Sequence, residues 1–96
     1  MAPGYFRKEG DTNWREFNGG GNNNQHRWED RETGLIFSST HVHRKRILPA
    51  HYLSLEFQEK GKNPSFAQLN EESTYSARFG NVMFEFAHME KDKLPQ

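Results

Sequence analysis

The sequence contains no cysteine, which excludes disulfides, thiol nucleophiles and cysteine-ligated zinc and favours a reducing compartment. No apolar run approaches the ~20 residues that a membrane-spanning helix needs. No apolar core follows the charges of residues 1–8, so we expect no cleaved secretory signal. Lysine and arginine total 13, as do aspartate and glutamate, which argues against a surface coated with positive charge. We therefore expect an intracellular protein with no membrane contact.

Hydrophobic residues are also scarce, at 32% of 96 residues, so the chain suits one small domain. A Gly/Asn-rich run within residues 18–26 has nothing to bury and predicts a flexible linker. We expect an N-terminal arm over 1–32, a β domain over 33–90 and a disordered tail over 91–96. The arm carries more aromatic residues than an idle tail does, so some of them should dock on the core or on a partner. These are Tyr5, Phe6, Trp14, Phe17 and Trp28.

Strand signals begin after residue 33. Residues 35–48 are rich in β-branched and aromatic side chains, and Pro49 ends the run because proline cannot donate to a sheet ladder. Over residues 52–59 apolar and polar residues alternate, which is the pattern of a half-buried strand. In contrast, residues 64–72 predict a short helix, with Asn63 as the N-cap.

The pair Gly80-Asn81 predicts a two-residue hairpin turn between strands 74–79 and 82–89. In that register Phe79 faces Val82 and Ala77 faces Phe84, so the apolar residues of both strands share one face. Met83 and Met89 then fit packing positions better than a ligand box.

Together these elements predict a mainly β (α+β) fold of order ββ(α)ββ. We expect a small antiparallel sheet or partly open barrel, with one short helix and the Gly/Asn-rich N-terminal arm. A half-covered sheet has unpaired edges, so we also expect a homo-oligomer, with a dimer through sheet edges as the simplest form.

The most unusual motif is a basic run at the end of the first long strand. Net charge is 0 over residues 1–25, +2 over 26–51 and −2 over 52–96, so the overall neutrality hides this local excess. Guanidinium groups grip phosphates, and nearby aromatic rings stack on bases, a combination typical of single-strand binders. The sequence thus predicts nucleic-acid binding, to single-stranded DNA or RNA, by His43, Arg44, Lys45, Arg46, Tyr52 and Trp28.

Other interpretations of this run remain open. Three adjacent basic residues are common on solvated surfaces, and they would also suit an acidic protein partner. His41 and His43 have the spacing for a metal, with His51, His88, Glu56 or Glu85 as further ligands, although nothing in the spacing demands it. An acid–base pair of His43 and Lys45 acting on RNA is a further option.

No convincing catalytic constellation is present, so we expect a non-catalytic protein with no cofactor and no metal. The glycine run precedes no helix with a lysine and is not a phosphate loop. The alternative function is a protein-interaction module, such as an accessory subunit, an inhibitor or a viral or phage component. It would dock through a sheet edge or through the aromatic N-terminal arm.

Overall fold

A computed structural model describes residues 2–17, 25–44 and 50–96. For six of these residues, 25, 26, 43, 44, 50 and 51, it describes the backbone but not the side chain. Eight strands and one 3-10 turn make up its regular structure. They are β1 (Gly4–Lys8), β2 (Arg15–Glu16), β3 (Gln25–Asp30), β4 (Leu35–Arg44), β5 (Ala50–Glu59), β6 (Ser65–Asn70), β7 (Ser73–Phe79), β8 (Val82–His88) and the turn Lys91–Lys93.

The strands form two open, four-stranded antiparallel sheets. Sheet A has the order β2-β1-β8-β7, and sheet B has the order β3-β4-β5-β6. The predicted mainly β, antiparallel fold is therefore confirmed, as open sheets and not as a closed barrel.

The sheets pack face to face through the residues that alternate inward along each strand. Phe37 of sheet B is fully buried, and its ring centroid lies 4.9 Å from that of Phe6 and 5.1 Å from that of Phe86, both in sheet A. Edge-to-face aromatic pairs of this kind stabilise a core beyond the area they bury. Aromatic side chains thus supply much of the core of a chain with few hydrophobic residues.

The predicted hairpin has the expected register. Phe79 pairs with Val82 and Ala77 with Phe84, and Phe84 is fully buried. Gly80 has a φ of 62°, which the first central position of a II′ turn requires and which glycine adopts without strain. The predicted strand over 52–59 is also present, within β5, and its alternating Leu53, Leu55 and Phe57 are buried.

The predicted helix over residues 64–72 is wrong, because this segment is β6. A lone helix of two turns is marginal in water, whereas pairing with β5 satisfies backbone groups of both strands. The three-residue spacing of Phe66 and Leu69 places them on opposite faces of the strand. Leu69 is buried and Phe66 is 69% exposed.

The predicted arm over residues 1–32 is, where the structure describes it, part of both sheets. β1 lies between β2 and β8 in sheet A, and β3 is an outer strand of sheet B. Phe6 and Phe17 belong to the core, so these aromatics dock on the chain's own interior. Residues 18–24 of the predicted linker lie outside the described residues. Glycine at position 4 permits β1 to pack closely against Leu53 of β5, since a Cβ at this position would lie 2.7 Å from Leu53 Cδ2.

Candidate nucleic-acid interface

The basic run begins at the last residues of β4, where β4 pairs with the start of β5. Both strands have ten residues, and their pairing continues to His43 opposite His51 and Arg44 opposite Ala50. Lys45 and Arg46 lie outside the described residues, as do the side chains of His43 and Arg44. The backbone thus positions the start of the run at one end of sheet B.

Tyr52 lies near this end, on the face of sheet B that points away from the core. It pairs with Val42 on β4 and with Asn70 on β6, and its side chain is half-buried. The next row on the same face consists of Thr40, Ser54 and Gln68. These six residues, which we call the neutral face, carry hydroxyl, amide, phenol and methyl groups and no charge.

The other charged residues described on the outside of sheet B lie farther from the end where the basic run begins. Arg27 pairs with Ser38, which pairs with Glu56, and these side chains border a shallow cleft of about 320 Å³. Glu29 lies one row farther away, opposite Ile36. Among the described positions of this face, carboxylates are therefore separated from the basic run by the neutral face.

Trp28 does not join Tyr52 on this surface. It pairs with the buried Phe37 and points to the interior, where its ring centroid lies 5.1 Å from those of Phe6 and Phe37. The indole fills the space between the sheets and is not placed to stack on a base beside Tyr52. The sequence signal for this difference is the alternation of side chains along a strand. Trp28 lies opposite Phe37 and shares its inward face, whereas Tyr52 lies opposite Val42, on the outward face.

A pair of histidines that the sequence offered as metal ligands has a different arrangement. His88 is fully buried, and its Nδ1 and Nε2 lie 3.1 Å and 3.0 Å from the carbonyl oxygens of Leu69 and Ala2. The Nε2 of His41 lies 3.1 Å from the same Ala2 oxygen. Both rings thus contact backbone acceptors, and the described residues contain no group of three or more histidine, aspartate or glutamate side chains that could hold a metal ion.

A second cleft, of about 540 Å³, lies on the outside of sheet A between residues 12–14 and 91–96. There the guanidinium carbon of Arg7 lies 4.3 Å from the centroid of the Trp14 ring, and Arg7 Nη2 lies 3.1 Å from Glu85 Oε2. The indole N–H of Trp14 donates to the carbonyl oxygen of Pro95 at 2.8 Å. Sequence reasoning missed this site, because its partners are distant in sequence and follow no motif.

Comparison with protein-family models, with curated proteins and with solved structures finds no match to this chain. Within the described ranges, no helix is long and apolar enough to cross a membrane. Any assignment of function must therefore come from the chain's own surfaces.

Proposed function

We propose that this protein is a small, non-catalytic binder of single-stranded nucleic acid, DNA or RNA. In this proposal Arg44, Lys45 and Arg46 contact phosphates, His43 adds charge when it is protonated, and Tyr52 stacks on a base. The observation that carries the proposal is the position of Tyr52 on an uncharged face that leads directly to the basic end of the β4–β5 hairpin.

The chemistry of the neutral face suits a single strand. Hydroxyl and amide groups of Thr40, Ser54 and Gln68 are able to hydrogen-bond to base edges and sugars without a preference for one sequence. Base–aromatic stacking is worth about 1–3 kcal/mol per base. Because Trp28 is packed inside, Tyr52 is the one proposed stacking platform that remains. The lack of cysteine is consistent with a protein that acts inside the cell.

The test measures the salt dependence of binding to a fluorescent oligonucleotide by anisotropy. Replacing Arg44, Lys45 and Arg46 by alanine should reduce the slope of log K against log salt by about 2, since each lost contact with a single strand removes about 0.7. The matched control replaces Arg15, Arg31 and Arg78, which are exposed and lie in β2, directly after β3 and in β7, and it removes the same charge. Equal effects of the two triple variants would contradict the proposal.

A second pair of variants tests stacking. Tyr52→Ala should weaken binding about fivefold or more, whereas Tyr52→Phe keeps the ring and should bind as the parent protein does. Trp28→Phe should leave affinity unchanged in a folded protein. If Tyr52→Ala binds as tightly as the parent, the neutral face is not the site.

The alternative function is a protein-interaction module that docks through a sheet edge. It is favoured by β6, an outer strand of sheet B with an exposed phenylalanine and no charged residue. Absence of oligonucleotide binding at low salt, together with binding of a protein that protects the β6 amides from hydrogen exchange, would favour this alternative.

A further inference from the structure

The four outer strands of the two sheets differ in how they are protected against pairing with another chain. Natural sheets commonly protect an edge with charge, with proline or with a very short strand. β2 has only Arg15 and Glu16, β3 carries Arg27, Glu29 and Asp30, and β7 carries Arg78. The sequence of β6, Ser-Phe-Ala-Gln-Leu-Asn, contains no charge and no proline. β6 is thus the least protected of the outer strands that the structure describes.

The exposure of β6 agrees with this composition. Four of its six residues are exposed, and Phe66 is 69% exposed. It is the most exposed large hydrophobic residue in the described part of the chain. A second strand beside β6 would cover this ring and would pair the outer backbone groups of the strand.

The charges that flank β6 identify the strand that fits beside it. Lys60 and Lys62 precede β6, and Glu71 and Glu72 follow it, all with exposed side chains. In an antiparallel pair of two copies, the basic end of each β6 lies against the acidic end of the other. A parallel pair would oppose like charges instead. The segment is therefore complementary to itself in one orientation only.

Two of these flanking charges already form ion pairs within the chain, in which Lys62, Glu72 and Lys93 are exposed and Glu59 is half-buried. Lys62 pairs with Glu59, and a hydrogen bond from Lys93 lowers the pKa of Glu72. Exposed ion pairs of this type contribute little, so exchanging them for contacts with a second copy costs little. The backbone hydrogen bonds and the burial of Phe66 would then supply most of the stabilisation.

From these observations we propose that β6 of one copy pairs antiparallel with β6 of a second copy about a two-fold axis. The axis is perpendicular to the sheet, so the two sheets B join into one eight-stranded sheet with both neutral faces on the same side. Phe66 and Gln68 then lie beside outer-face residues of the partner strand. The dimer does not depend on nucleic-acid binding, and antiparallel pairing would place the two β4–β5 hairpin ends at opposite ends of the joined sheet.

The test uses charges at Gln68, which is exposed on the outer face near the centre of β6. The parent protein should sediment as a species of twice the 11.3 kDa chain mass, with dissociation on dilution. Gln68→Lys and Gln68→Glu each place like charges close together across the axis, and each should weaken the dimer by about fivefold. Mixing the two variants should restore a heterodimer, which native mass spectrometry distinguishes by mass.

The matched control is Gln58→Lys, which adds the same charge at an exposed position of β5, a central strand. It should dimerise as the parent does. A parent protein that stays monomeric at all concentrations would overturn the inference, and so would a dimer insensitive to both Gln68 variants. Preference for homodimers in the mixture would do the same.

Hydrogen exchange gives a readout that needs no variant. Amides of residues 65–70 should become more protected as the concentration of the parent protein rises, whereas those of β7 should not change. Protection confined to other strands would place the contact elsewhere and reject β6. Since these measurements contain no nucleic acid, their outcome is independent of the proposed function.

Discussion

The buried ring of His88 contacts Ala2, since its Nε2 lies 3.0 Å from the Ala2 carbonyl oxygen. Its Nδ1 faces the Leu69 carbonyl at 3.1 Å, so one side chain of β8 connects the N-terminal segment to β6. Because a carbonyl oxygen only accepts, the ring must be the donor in each hydrogen bond that it makes here. His88 thus ties sheet A to sheet B at the end that also holds Tyr52.

Replacement of His88 by leucine should destabilise the protein by about 2–4 kcal/mol. Leucine fills part of the space but donates no hydrogen bond, and it removes the ring nitrogens that face the carbonyl oxygens of Leu69 and Ala2. Urea unfolding followed by circular dichroism measures the change. The control is Thr74→Ala on β7, an exposed position where a change within about 0.5 kcal/mol is expected. A loss for His88→Leu no larger than that of the control would contradict this role.

Asp30 should contribute stability that is lost in acid. Burial raises the pKa of its carboxyl, but hydrogen bonds from Thr33 and Lys8 and the charge of Lys8 outweigh this and lower the pKa below its ordinary value. A lowered folded-state pKa means that the contribution is complete above the unfolded-state value, near pH 4, and disappears as the pH falls through the folded-state value. Asp30→Asn should therefore cost about 1–2 kcal/mol at pH 7 and much less near pH 2.

Unfolding in urea at several pH values checks this expectation. Glu32→Gln is the matched control, since Glu32 also lies near Lys8, at 3.6 Å, but its side chain is 75% exposed. That variant should remain close to the parent at every pH. A cost for Asp30→Asn that stays constant from pH 7 to pH 2 would disagree with the contacts of Asp30.

Tyr5 should make the fold sensitive to alkali. Burial raises the pKa of its phenol, and the charges of Glu16 and Glu90 raise it further. The folded state therefore favours the neutral phenol, and this stability is present below the unfolded-state pKa, about 10, and is lost as the pH rises through the folded-state value. Tyr5→Phe should lose less stability between pH 8 and pH 11 than the parent does, whereas Tyr75→Phe should behave as the parent.

Much of the fold follows from local patterns in the sequence. The Gly80-Asn81 turn and the alternation of Leu53, Leu55 and Phe57 gave correct strands and the correct hairpin register, because in each case a slip would expose large apolar side chains. β6 was missed because Asn63, Pro64 and the three-residue spacing of Phe66 and Leu69 favour a helix locally. Hydrogen bonding with β5 favours a strand instead, and no local sequence pattern predicts this pairing.

The candidate site is less predictable, because it depends on which residues share a face. Counting parity along β3, β4 and β5 from the buried Phe37 would have placed Trp28 inside and Tyr52 outside, but β3 belonged to the segment predicted as an arm. The contacts of His88 with Ala2 and of Arg7 with Trp14 join sequence-distant residues. Only the packed sheets bring these groups together.

The contact of Gly4 with Leu53 offers a direct test of how closely the N-terminal strand packs on sheet B. A Cβ at position 4 would lie 2.7 Å from Leu53 Cδ2 and 2.8 Å from Phe17 Cδ2, and both of those side chains are buried. Gly4→Ala should therefore cost about 1–3 kcal/mol through overpacking. Leu53→Val alone should cost about 1 kcal/mol, because it removes a buried methylene.

The double variant Gly4→Ala, Leu53→Val should lose less stability than the two single variants combined. Valine has no δ carbon, so the new methyl group at position 4 gains the space that Leu53 Cδ2 occupied. Residues in direct contact show coupling of about 0.5–3 kcal/mol in such double-mutant cycles. Measured losses that simply add would mean that β1 does not approach Leu53 this closely.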